Sequence, residues 1–225
     1  MQTASQRFTE QQRQRIDQAV ADAEAKTSAE IVPVVATSSG RYDRAEDMMG
    51  LWFATVTAVV LWIWLPRGTE EPGGWGGIAL VWQIVVLVAG IVVAFVIGAV
   101  ISSKVGWLRR LFTPQSEMRD DVGRRAREAF FDNRVHHTAG ATGLLLYVSL
   151  FEHMAAVIAD QEVLEKLGQS AVDELCEQLT AGLGAGHPTD ALCTVLASAA
   201  ERLGAVLPRA EDDVNELADA LVTLD

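Results

Sequence analysis

Two long apolar runs without a single ionisable side chain constrain this chain more than any other feature. The first covers residues 48–65, 18 positions that include Trp52, Trp62 and Trp64. The second covers residues 76–101, 26 positions with one polar amide, Gln83. At about 1.5 Å per helical residue the first reaches roughly 27 Å, close to a hydrocarbon thickness of about 30 Å, and the second is long enough to span with some tilt. Core helices of soluble domains carry shorter uncharged stretches. The tryptophans, with Trp75 in the connection and Trp107 beyond the second run, mark the ring belts expected at both interfaces. The chain is therefore read as carrying two transmembrane helices joined by the Pro- and Gly-rich loop 66–75.

Orientation follows from Lys and Arg near the span ends. The loop has Arg67, whereas Arg41, Arg44, Lys104, Arg109 and Arg110 lie on the other side. The basic side is expected to be cytoplasmic. With no apolar signal in the first 47 residues, this predicts a two-pass protein of the inner membrane with both termini in the cytosol. Two cysteines, Cys176 and Cys193, suit a reducing compartment and are too few for a disulfide framework.

Outside the spans, residues 6–26 show helical periodicity, and Ile31 to Ala36 forms a β-rich run. Pro33 lacks a ladder donor, which predicts an edge strand or a bulge there. Residues 114–133 form a charged helix with an apolar stripe of Val122, Ala126, Ala129 and Phe130. Leu144 to Ser149 reads as a central strand, and Met154 to Ala159 as its antiparallel neighbour. Helices are expected at 162–183, 189–205 and 211–224. Residues 151–225 hold 15 acidic and 3 basic side chains, which accounts for the whole net charge of −12. That balance excludes a nucleic-acid partner, since phosphate neutralisation needs a basic surface.

One strand before the spans and two after them cannot each build a stable sheet. The simplest fold is one α/β body, a small mixed sheet flanked by helices, interrupted by a transmembrane hairpin. This divides the chain into a first part (1–47), a span (48–65), the external loop (66–75), a second span (76–101), the second part of the α/β body (102–205) and an acidic C-terminal helix (206–225).

The segment from Ile16 to Glu24, followed by Lys26-Thr-Ser-Ala-Glu-Ile-Val-Pro-Val-Val35, resembles the opening of the TPM-domain family. That family unites thylakoid-lumen phosphatase-like proteins, photosystem II repair proteins and modulators of acetylcholine receptors. Thr142 to Ser149 and the run ending in Val157-Ile-Ala-Asp160 are similar to its later strands. The resemblance covers residues 8–40 and 125–200 and implies a small sheet flanked by helices. It also implies either an accessory role beside membrane complexes or a phosphatase.

Candidate chemistry is sparse. Asp160 ends a strand; it can N-cap the next helix, the commoner use of such a carboxylate, or ligate a divalent cation through oxygen. Glu30 precedes the first strand and is read as a salt-bridge partner of an Arg. His136 and His137 are adjacent and cannot easily share one ion; His153, after Glu152 in a tight turn, and His187 read as surface. Cys176 and Cys193 read as buried small hydrophobes. Ser149 lacks a nucleophile elbow. The leading expectation is a membrane-anchored, non-catalytic module that supports a membrane protein or complex, with the lipid bilayer as its other partner. A divalent-metal-dependent phosphatase with Asp160 among the ligands is the alternative.

Overall fold

The structure is a computed structural model, and it describes residues 3–42, 44–65, 80–104, 110, 113–138, 140–210 and 214–225. The loop 66–75, Trp75 and Trp107 lie outside the described residues. The chain divides into two compact units. One comprises residues 1–40 and 115–225, and the other residues 41–114.

The first unit contains α1 (Ala4–Arg7), α2 (Glu10–Glu24), β1 (Ile31–Ala36), α5 (Gln115–Asp132), β2 (Leu144–Ser149), β3 (Met154–Ala159), α6 (Gln161–Leu167), α7 (Gln169–Gly184), α8 (Pro188–Val206) and β4 (Val222–Leu224). The second contains α3 (Arg44–Trp64) and α4 (Leu80–Lys104). The four strands form one mixed sheet in the order β3-β2-β1-β4. β1 runs parallel to β2, from Ile31 opposite Leu144 to Ala36 opposite Ser149, and parallel to β4. β2 and β3 pair antiparallel. Strands from either side of the long interruption thus pair over their full six residues.

Both faces of the sheet are covered, which is why β1 and β2 read as continuous apolar runs. Ile31, Val35, Leu144, Leu146 and Val148 pack with Ile16 and Val20 of α2, Leu175 and Leu179 of α7, and Leu192, Leu196 and Leu203 of α8. Val32, Val34, Leu145 and Tyr147 pack on the other face against Val122, Ala126, Ala129 and Phe130 of α5, the stripe read from the sequence. Thr9 starts α2 with a capping box: its hydroxyl accepts from the Gln12 N–H, and the Gln12 side chain accepts from the Thr9 N–H.

Three expectations need correction. Pro33 sits in an inner strand. Along β1 the N–H groups of Ile31 and Thr37 donate away from β2, Ile31 to Glu24 and Thr37 to Leu224. By alternation position 33 faces the same side, one residue before β4 begins to pair at Val34. No ladder bond is lost, so the proline is tolerated. The helix expected at 162–183 breaks at Gly168, whose φ of 83° suits glycine. The acidic C-terminal helix 206–225 does not form among the described residues: α8 ends at Val206, and Val222–Leu224 is a strand. Pairing of Val222–Leu224 with β1 satisfies backbone groups that the end of a lone helix would leave to water, and it seats Leu221 in the core.

In the second unit α3 and α4 run antiparallel. A Cβ built on Gly98 would lie 2.7 Å from the Met49 carbonyl oxygen, and one on Gly90 would lie 2.5 Å from a Leu61 methyl. Both helices are long and apolar enough to cross a membrane, and only 11% of each candidate window is buried.

Candidate functional site

Because β1 and β2 are parallel, their carboxyl ends lie together, and the 37–40 and 150–153 turns rise from that edge. Here Glu152 is fully buried. Its Oε1 accepts from the Ser39 N–H at 2.8 Å, the Gly40 N–H at 3.3 Å and the Ser38 hydroxyl at 3.3 Å. Its Oε2 accepts from the Ser149 hydroxyl. The Ser39 hydroxyl in turn donates to Ser149 Oγ at 2.8 Å and lies 2.9 Å from the Tyr147 hydroxyl. Burial pushes the Tyr147 phenol above its usual range, against the lowering effect of the Ser39 bond. One buried carboxyl group therefore ties the loop leaving β1 to the turn leaving β2. His153, next in the chain, takes a left-handed φ of 55° and is exposed.

Beside this network lies a cavity of about 590 Å³, lined by Arg7, Ser149, His153, Thr180, Leu183 and Pro188 among others. Its volume is in the range of about 300–1,000 Å³ typical of small-molecule sites, and the carboxyl ends of parallel strands are where α/β folds hold ligands. The lining offers a guanidinium, an imidazole and an apolar wall, a set suited to an anionic group on an apolar body.

The sequence-nominated residues are dispersed. Asp160 caps α6: its Oδ1 accepts from the Gln161 N–H at 2.8 Å, while its Oδ2 is buried without a hydrogen-bond partner among the described residues. Among the described residues, no group of three His, Cys, Asp or Glu side chains is placed to share a metal ion. Glu30 is buried and accepts from the N–H groups of Glu216 and Leu217 at 3.1 and 3.2 Å, so backbone donors hold it where an Arg was expected. His136, His137 and His187 are exposed, and His136 stacks on Phe131 with ring centroids 4.7 Å apart. Cys176 and Cys193 are half-buried free thiols, and desolvation pushes both above the usual thiol range.

A second, smaller cavity of about 240 Å³ lies at the opposite end of β1, lined by Glu24, Thr27, Glu30, Arg209, Asn215 and Asp219 among others. Glu24 is 9% exposed; its Oε1 accepts from the Ile31 N–H at 2.9 Å, and its Oε2 is buried with no hydrogen-bond partner among the described residues. Desolvation, reinforced by Asp219 and Glu30, raises its pKa to about 8.

Neither Glu152 nor Glu24 stands out in the sequence. Glu152 sits between Phe151 and His153 and reads as a surface turn; Glu24 closes an amphipathic helix among other charges. The one available signal is that Glu24 falls four residues after Val20 and eight after Ile16, on the buried stripe of α2.

No family model matches the chain, and no curated protein matches it. Among solved structures it is similar to the NMR structure of the BA42 protein from the psychrophilic bacterium Bizionia argentinensis. The TM-score is 0.57 and the identity 15%, over 99% of each chain. At that identity the likeness is one of fold alone.

Proposed function

We propose that this chain is a membrane-anchored accessory module of TPM-like type. In this reading a two-pass hairpin tethers the α/β unit at the cytoplasmic face of the inner membrane, where it supports a membrane protein complex. The observation that carries the reading is where the apolar helices sit and what they leave uncovered. α3 and α4 fall in the chain between β1 and β2, which pair with each other. Yet their side chains stay open to the surroundings, with Trp62 64%, Ile63 69% and Val81 68% exposed. An apolar surface covering two whole helices far exceeds the few hundred Å² found on soluble monomers, and lipid is its natural cover. Glycines at the α3–α4 contact let the backbones approach closely, as in membrane helix pairs. The excess of Lys and Arg flanking the spans, against Arg67 alone in the loop, supports the cytoplasmic placement of both termini.

The phosphatase alternative requires several carboxylates around one cation. Asp160 commits one oxygen to a helix cap, and no observation favours that chemistry over the accessory role.

The experiment is alkaline carbonate extraction of membranes, combined with topology reporters at the C-terminus and within 66–75. The chain is expected in the pellet, with the C-terminal reporter in the cytosol and the loop reporter outside. Release by carbonate, or the opposite reporter pattern, sinks the anchor. A mild-detergent pull-down that recovers this chain by itself sinks the accessory role.

A further inference from the structure

We propose that residues 214–225 form a releasable strap across the edge of the sheet, latched by a proton shared between the carboxyl groups of Glu24 and Asp219. The strap carries β4, one of the two edge strands of the sheet. Its strand, Val222–Leu224, is three residues long and covers only the Val34–Ala36 part of β1. Beyond it, Leu221 is buried in the core on one face, Leu217, Val222 and Leu224 pack against the other, and the remaining ties are individual hydrogen bonds. Glu30 accepts from the Glu216 and Leu217 N–H groups, Asp17 accepts from the Leu221 N–H at 2.8 Å, and Leu224 O accepts from the Thr37 N–H at 2.8 Å. Asp225 accepts from the Ser5 N–H at 3.0 Å.

Under this strap lies the 240 Å³ acidic cavity. Among the described residues no donor reaches the buried Glu24 Oε2, and another carboxyl, that of Asp219, lines the same small cavity. Two ionised carboxylates cannot satisfy each other. One proton between them turns a repulsion into a hydrogen bond, and it joins the last turn of α2 to the middle of the strap. Glu30, just before β1, and Asp219 on the strap disfavour a negative charge on Glu24, while Glu216 and Asp219 do the same to Glu30. Arg209, after α8, lines the same cavity and donates to the Glu24 carbonyl oxygen at 3.4 Å. Burial of Glu24, with Glu30 and Asp219 acting in the same direction, outweighs the lowering effect of the Ile31 N–H bond and places its titration near pH 8.

With the strap closed, Glu24 holds its proton up to about pH 8; with the strap open, it reverts toward its ordinary value of 4.5. Closure is therefore complete at low pH, weakens as pH rises between those values, and levels off once Glu24 is ionised in both states. Release uncovers the Val34–Thr37 edge of β1, whose hydrogen bonds to the strap would otherwise be closed.

The test is millisecond hydrogen exchange of the full chain in detergent, read on the 214–225 peptide and corrected for the intrinsic pH dependence. In the wild type, strap opening should rise about tenfold or more from pH 6 to pH 8 and then flatten. Glu24→Gln removes the titrating group and should hold the strap closed with no pH slope, whereas Asp219→Asn leaves a buried Glu24 without its like-charged neighbour and should keep a shallower slope. Asp17→Asn weakens a separate tie, so it should lower protection at every pH and keep the slope. A wild-type strap whose protection does not change with pH overturns the proposal. So does a slope that survives in Glu24→Gln, a slope in Asp219→Asn as steep as in the wild type, or one that disappears in Asp17→Asn.

Discussion

Truncating Glu152 is expected to be the most damaging single change to the α/β unit outside its apolar core. The carboxyl group is fully buried and receives four donors: two backbone N–H groups from the 39–40 turn and two serine hydroxyls. In Glu152→Ala the Ser39 N–H and the Ser149 hydroxyl stay buried with no acceptor; the Ser38 hydroxyl can still donate to the Gly40 carbonyl oxygen, 3.0 Å away. An unsatisfied buried donor costs about 1–3 kcal/mol, and the lost bonds and cavity add to it, for a total of about 3–5 kcal/mol. That is a large share of the roughly 5–15 kcal/mol that holds an ordinary domain together. Glu152→Gln keeps the volume and one acceptor but presents an amide N–H₂ to Ser149 Oγ, which already receives the Ser39 hydroxyl. Its expected cost is about 1–2 kcal/mol. Urea titration of the full chain in detergent, read by hydrogen exchange of peptides covering 31–40 and 144–153, measures both. The 38–40 amides should lose protection first in Glu152→Ala. An alanine variant within about 0.5 kcal/mol of wild type, with those amides still protected, refutes the claim that this carboxyl group organises the sheet edge.

Asp160→Ala removes the cap of α6 and should cost about 1 kcal/mol. Melting curves with and without added divalent cations should shift equally; a cation-dependent difference would restore Asp160 as a ligand. In the helix pair, Gly98→Val drives a Cβ against the Met49 carbonyl oxygen, a backbone atom that cannot yield, so the helices must separate. Its melting temperature in detergent should fall well below that of Gly90→Ala, whose Cβ meets only the flexible end of Leu61.

Much of the fold was legible in local pattern. Uncharged length marked α3 and α4, and the four-residue spacing of Val122, Ala126 and Phe130 marked the face of α5. The unbroken apolar stretch from Leu144 to Val148 marked a strand covered on both sides. These signals are local because each element's periodicity records which of its own faces is buried. The candidate sites were not legible in this way. Glu152 takes its acceptor role from Ser39, 113 positions away, and Glu30 from a strap 186 positions away. Asp160, the residue the sequence singled out, has a helix cap as its neighbourhood.

The chain's own order of residues decided that it carries two bilayer-length apolar helices and an α/β body built from the segments on either side. Apolar run length and helix or strand periodicity act over a few turns and need no knowledge of the rest of the molecule. Only tertiary structure decided that Pro33 sits in an inner strand, that the acidic tail ends as a strand on its edge, and that Glu24 and Glu152 are buried. In each case the outcome turned on which distant backbone group stood within hydrogen-bond reach. A buried polar group is tolerated only where such a partner arrives, and no local pattern encodes where the partner comes from.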